Sequence, residues 1–190
     1  FAVLFSSWVM AADEAPATNV ILVTLDGFRW QELFGGADAN LLLAEKTPIA
    51  RDRFHRETPE ERRKLLMPFF WSEIAEKGQI FGAPDMNSEV VVTNTMHFSY
   101  PGYQEILCGF PDAKFDSNDK IQNHNATVLE WLNKKPAFAG KVAAFATWDV
   151  IPFVINSKSS NVYIQCGWEP FRHATSPQAL EQLNRWASAL

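Results

Sequence analysis

The alternation of apolar and polar positions predicts short strands separated by helices. Residues 19–25 (NVILVTL) form a nearly continuous, β-branched apolar run that ends at Asp26 and Gly27. Such a run is typical of a strand that is buried on both faces of a sheet. Further strands are predicted at residues 79–82, 90–93, 141–147 and 162–165.

Helices are predicted where capping signals precede apolar residues at helical spacing. Residues 58–61 (TPEE) form a capping box with a proline in the first turn. We expect Pro68 to interrupt this helix and Gly78 to end it. Further helices are predicted at residues 101–108, at 127–132 behind a cap at Asn125 or Thr127, and from Ser176 onward, with loop or short helix at 28–43.

The alternation of these elements predicts an α/β fold, with a mainly parallel, doubly wound sheet that carries helices on both faces. The chain has 190 residues, of which 47% are hydrophobic, with 15 Phe and 7 Trp. That composition is sufficient for one globular domain with a sizeable core. A net charge of −5 without a long basic run argues against nucleic acid binding through a basic surface.

The N-terminus suggests an exported protein. Residues 1–10 (FAVLFSSWVM) are apolar and uncharged, and they are too short to span a bilayer. We interpret residues 1–12 as the remnant of a signal peptide, which predicts a periplasmic or secreted protein without a stable membrane span. The alternative interpretation is a buried first strand or helix. Cys108 and Cys166 fit either a disulfide of an exported protein or two buried thiols.

Two residues are predicted to carry chemistry at the carboxyl edge of the sheet, where open α/β sheets bind ligands. Asp26 follows the first strand, and Ser99 precedes the first turn of a helix. A helix N-terminus favours a bound anion such as a phosphoryl group. The Ser99 hydroxyl needs activation, which a divalent metal held by Asp26 supplies. His97 is an alternative base, two residues before Ser99.

Residues 20–30 (VILVTLDGFRW) and 98–111 (FSYPGYQEILCGFP) resemble two signature segments of the alkaline phosphatase superfamily. The likeness is closest to its type I phosphodiesterase and nucleotide pyrophosphatase branch. The resemblance implies that Asp26 binds zinc and that Ser99 is both a metal ligand and the nucleophile. It further implies two Zn²⁺ ions and hydrolysis of a small-molecule phosphate monoester or diester through a covalent phosphoserine.

The same resemblance implies an asparagine that binds a phosphoryl oxygen soon after a Gly-Phe-Pro-Asp turn. Asn118 is the nearest match, and Asn123 is the alternative. Tyr100, next to the nucleophile, is expected to contact substrate. Asp149 follows the predicted strand 141–147 and either lines the substrate pocket or caps the next turn.

The later metal ligands of the family are Asp and His residues, and no histidine of this chain lies in a matching motif. We therefore expect the remaining ligands beyond Leu190. Residues 13–190 would then be the N-terminal part of a catalytic domain that is truncated at its C-terminus, with an insertion at 38–66. The oligomeric state is left open.

Other functions fit the sequence less well. A sulfatase would carry arginine where Tyr103 stands, and a phosphoglycerate mutase would continue differently after Ser88. The main alternative is an exported binding domain that keeps the fold and lacks the full metal site. Residues 125–127 (NAT) form a glycosylation sequon, whose other interpretation is a helix cap.

Overall fold

A computed structural model describes residues 19–44, 48–83 and 87–188. The predicted signal peptide remnant at 1–12 lies outside the described residues. The chain divides into two compact units at the junction of Ser72 and Glu73, and each unit is described by itself.

The regular secondary structure of the first unit is helical over its described residues. Arg63 lies above the indole ring of Trp71, 4.0 Å from its centroid, and Phe34 meets the same ring edge-on. A Cβ atom at Gly36 would lie only 2.3 Å from the backbone nitrogen of Arg63, so this close approach of two backbone segments requires glycine. The helices are α1 (Trp30–Gly35), α2 (Ala39–Ala44), α3 (Pro48–Phe54) and α4 (Pro59–Leu66).

The predicted capping box opens α4. The Thr58 side chain accepts a hydrogen bond from the Glu61 N–H, and the Glu61 carboxylate accepts one from the Thr58 N–H. Met67 leaves the helix one residue before Pro68, where the αR region is disfavoured. A π-helix (Phe70–Ile74) and α5 (Ala75–Lys77) then follow, and the helical segment ends at Gly78 as predicted.

The second unit holds a parallel pair of strands, β1 (Ala143–Ala146) and β2 (Tyr163–Cys166). Ala143 lies opposite Tyr163, and Ala146 lies opposite Cys166. The helices of this unit are α6 (Ser99–Cys108), α7 (Val128–Asn133), α8 (Ile151–Val154) and α9 (Pro177–Ala187), besides α5. The buried core consists of Tyr100, Leu107, Phe115, Val150, Ile151, Val154, Ile155 and Val162.

The fold is mixed α/β, and its strands are parallel as predicted. The doubly wound sheet is not found, because β1 and β2 are the whole sheet within the described ranges. Residues 19–25, 79–82 and 90–93 have no regular secondary structure. Val20 and Ile21 are 87% and 85% exposed. An apolar run becomes a buried strand only when neighbouring strands complete its hydrogen bonds, and neither β1 nor β2 pairs with these segments.

The described helices include none that is both long and apolar enough to cross a membrane.

Candidate functional site

Ser99 is the first residue of α6, which begins two residues before the predicted helix 101–108. Phe98 precedes it in an extended conformation and gives the helix no side-chain cap. The cap comes instead from Asn118, whose Oδ1 accepts a hydrogen bond from the Tyr100 N–H at 3.0 Å. The structure therefore brings Asn118 to the start of the helix that begins with half-buried Ser99.

Asn118 also presents a donor at this position. Its side chain is exposed, and its Nδ2 makes no hydrogen bond within the part of the chain that the structure describes. Because Oδ1 is held by the Tyr100 N–H, the amide group is fixed beside the first turn of α6. An anion bound at this turn can accept a hydrogen bond from Nδ2.

Glu105 holds the segment that leads to Ser99. Its Oε1 accepts hydrogen bonds from the Thr93 N–H and hydroxyl, at 2.7 and 2.8 Å. Its Oε2 accepts from the backbone N–H and side-chain Nδ2 of Asn94, at 3.0 and 2.7 Å. We call Glu105, Thr93 and Asn94 the Glu105 clamp. The backbone N–H of Thr93 is the main reason that the pKa of Glu105 falls to about 2, with Asn94 next.

The expectation that the Tyr100 side chain contacts substrate is not met. Tyr100 is 1% exposed, and its ring stacks on Phe115 with centroids 5.0 Å apart. Its hydroxyl donates to the carbonyls of Ile121 and Phe153, at 2.5 and 3.3 Å. Burial accordingly raises the pKa of this phenol. The aromatic ring is core, and only the backbone N–H of Tyr100 serves the site.

Asn123, the alternative to Asn118, is a structural residue. It is fully buried, its Nδ2 donates to the Val154 carbonyl at 2.9 Å, and its Oδ1 accepts from the Asn125 N–H at 2.9 Å. Both ends of the amide are thus used inside the protein, because a buried amide needs such partners. A substrate oxygen cannot reach it without breaking these bonds.

Asp149 forms an ion pair at the surface of the second unit. Its carboxylate pairs with Lys120 at 2.6 Å, with both side chains more than half exposed. The cap position of α8 is Val150, and α8 has no side-chain cap bond among the described residues. Lys120 is two residues from Asn118 in the sequence. The sequence did not indicate that this lysine pairs with Asp149, because isolated lysines are common on surfaces.

Asp26 is exposed and lies in a turn with Gly27, whose φ is 72°. Asp26 belongs to the first unit and Ser99 to the second, so their geometry is described separately. His97 is exposed. The described ranges contain no group of three or more His, Cys, Asp or Glu that could hold a metal ion. On their own, these residues do not fit a complete two-zinc site.

The two cysteines are separate thiols in the structure. Asn123 donates to the Cys108 sulfur at 3.5 Å, and the Cys166 thiol donates to the Trp148 carbonyl at 2.6 Å. Burial raises the pKa of both thiols.

Thr127 caps α7 by accepting from the Glu130 N–H, and it is fully buried, which agrees with the cap interpretation of residues 125–127.

Comparison of the chain with models of protein families, with curated proteins and with solved structures finds no match in any of the three.

Proposed function

We propose that the protein hydrolyses small-molecule phosphate esters and that Ser99 is the nucleophile. The observation that carries this proposal is the hydrogen bond from the Tyr100 N–H to the Asn118 side chain, at 3.0 Å. It holds the Asn118 amide beside the residue that follows Ser99, the first residue of a ten-residue helix. The resemblance assigns Ser99 and Asn118 to phosphoryl transfer. The resemblance implies this role for Asn118, with Asn123 as the alternative.

The chemistry proceeds in two steps. The Ser99 oxygen attacks phosphorus and forms a P–O bond, while the ester P–O bond breaks and the alcohol leaves with the electron pair and a proton. Water then attacks the phosphoserine, and Ser99 leaves as the hydroxyl. The Asn118 Nδ2 and the positive end of the α6 dipole stabilise the phosphoryl oxygens during both steps.

The metal requirement is part of the proposal. Asp26 and Ser99 are the ligands that we assign from this chain, and the ions would lower the pKa of the serine hydroxyl. The other ligands would have to be supplied by chain beyond Leu190, in a catalytic domain of the alkaline phosphatase superfamily. The protein would act after export, in the periplasm or outside the cell.

Hydrolysis of nitrophenyl phosphate monoesters and diesters by the full-length protein with added zinc tests this function. Ser99→Ala should lower turnover by at least 10³-fold, the scale seen when a catalytic nucleophile is removed. Ser159→Ala is the matched control, because Ser159 is an exposed serine in the same unit. Turnover that survives Ser99→Ala would refute the proposal.

Metal content gives a separate test of Asp26. Asp26→Asn should reduce the zinc retained by the full-length protein after dialysis, whereas Asp52→Asn, another exposed acid of the first unit, should not. Equal zinc in both variants would contradict the role assigned to Asp26.

A second candidate function is a non-catalytic binding domain. The lack of any three-residue ligand group in the described ranges favours it. It predicts that the full-length protein binds nitrophenyl phosphate, loses affinity in Asn118→Ala, and shows no turnover at any zinc concentration.

A further inference from the structure

Glu105 is a carboxylate whose hydrogen-bonding capacity is fully used on one short segment. A carboxylate has about four lone-pair sites. All four are filled by donors of Thr93 and Asn94, at 2.7 to 3.0 Å. Charge-assisted bonds of this length are stronger than bonds between neutral groups. A single side chain of α6 thus holds two consecutive residues of the segment that precedes the helix.

The clamp continues toward Ser99 through Asn94. While Nδ2 of Asn94 donates to Glu105, its Oδ1 accepts from the Met96 N–H at 3.0 Å. This second bond is a local turn of the Asx type. The path from the carboxylate therefore reaches Met96, three residues before Ser99, although residues 93–97 have no helix or strand of their own.

Helix α6 itself connects Glu105 back to Ser99. Glu105 lies six residues after Ser99 on α6, which is about 9 Å along the helix axis. At the N-terminus, the Tyr100 N–H is held by Asn118. The direction in which the chain enters Ser99 is therefore fixed from both sides, by the Glu105 clamp before it and by the Asn118 bond after it.

We propose that Glu105 is a positioning residue for the Ser99 hydroxyl, and that the clamp fixes the path of residues 93–98 so that this hydroxyl is held for attack. This inference rests on the proposed function. In this role, none of the three residues of the clamp needs to contact substrate. A loss of the clamp should therefore slow the chemical step and leave substrate affinity nearly unchanged.

The charge of Glu105 is essential to the geometry. The bonds from Thr93 and Asn94 keep the pKa of the carboxyl at about 2, so it remains ionised near neutral pH. Glutamine has the same shape but carries an NH₂ group in place of one acceptor oxygen. That group would face the donors of Thr93 or Asn94, and one pair of bonds would be lost.

Glu105→Gln in the full-length protein tests the inference, with nitrophenyl phosphate and added zinc. We expect kcat to fall about 10²-fold, the loss that a misplacement of about 1 Å causes, with KM within about twofold of the wild-type value. Amide hydrogen exchange should rise in residues 93–98 and stay unchanged in β1 and β2. Glu169→Gln is the matched control, because its carboxylate forms only an exposed ion pair, with Arg172.

Asn94→Ala is the second variant, for use if Glu105→Gln does not fold. It removes one of the four bonds to Glu105 and the bond to Met96, so kcat should fall by about tenfold at constant KM. Wild-type kcat in the folded variant, with Ser99-dependent activity intact, would overturn the inference alone. An increase in KM as large as the decrease in kcat would also overturn it. Full turnover in Ser99→Ala would instead refute the proposed function, and the inference with it.

Discussion

Asn118 and Asn123, the two candidates for binding a phosphoryl oxygen, give opposite predictions for stability and activity. Asn123→Ala removes a buried amide that serves the Val154 carbonyl and the Asn125 N–H. Leaving a buried polar group unsatisfied costs about 1–3 kcal/mol, so loss of the buried bond to the Val154 carbonyl predicts a decrease of about 1–3 kcal/mol in the free energy of unfolding. Where the variant stays folded, its activity should be normal, because the amide does not reach the site.

Asn118→Ala is the matched comparison, because the same truncation is made at an exposed position. Its Oδ1 caps α6 by accepting from the Tyr100 N–H, and the loss of a cap costs about 0.5–2 kcal/mol. We expect a small loss of stability and a large loss of turnover. Urea unfolding followed by circular dichroism measures both variants, and nitrophenyl phosphate hydrolysis measures activity. A loss below about 0.5 kcal/mol in Asn123→Ala, within the range of ordinary surface substitutions, would refute the structural role of this residue.

Two further predictions concern local structure and pH. Thr58→Ala removes the side-chain oxygen that accepts from the Glu61 N–H and should destabilise α4 by about 1 kcal/mol; amide exchange in the first turn of α4 should rise, and unchanged exchange would contradict this. The pKa of Glu105 is lowered from 4.5 to about 2, so its contribution to stability is full above pH 4.5 and is lost as the pH falls toward 2. The stability difference between wild type and Glu105→Gln should therefore shrink over that range in acid titrations, and a constant difference would contradict the assignment.

Helix ends were predictable because their signals are local. Thr58, Thr127 and Ser176 each accept a hydrogen bond from the N–H three residues later, as the sequence around them indicated. Such a bond needs only the residues of one turn. The break before Pro68 is equally local, because proline restricts the residue before it.

Strands were harder to predict because their hydrogen bonds are not local. Residues 19–25 and 141–147 have similar apolar patterns, but only the second run contains a strand in the structure, β1. β1 pairs with β2 across a loop and α8, and no pattern within either run specifies that partner. The apolar pattern shows that a segment can be buried, whereas its pairing depends on the rest of the chain.

The residues of the candidate site could be predicted only in part, because burial and contacts between distant residues depend on the rest of the chain. Ser99 at the start of a helix and Asn118 beside it follow from residue types and order. The choice between Asn118 and Asn123 depends on burial, which the sequence does not encode for an isolated polar residue. Glu105 was missed because a glutamate on a helix usually faces solvent. A possible signal was the pair of polar residues Thr93 and Asn94 shortly before the helix.

The most direct test of the central claim is to trap the covalent intermediate on Ser99. The full-length protein with zinc would be mixed with nitrophenyl phosphate, quenched in acid during turnover, and digested for mass spectrometry. We predict one phosphate on the peptide that contains Ser99, and none on Ser99→Ala or on the Ser159 peptide. Turnover without phosphate on Ser99 at any quench time, or with phosphate on another residue, would contradict the proposed function.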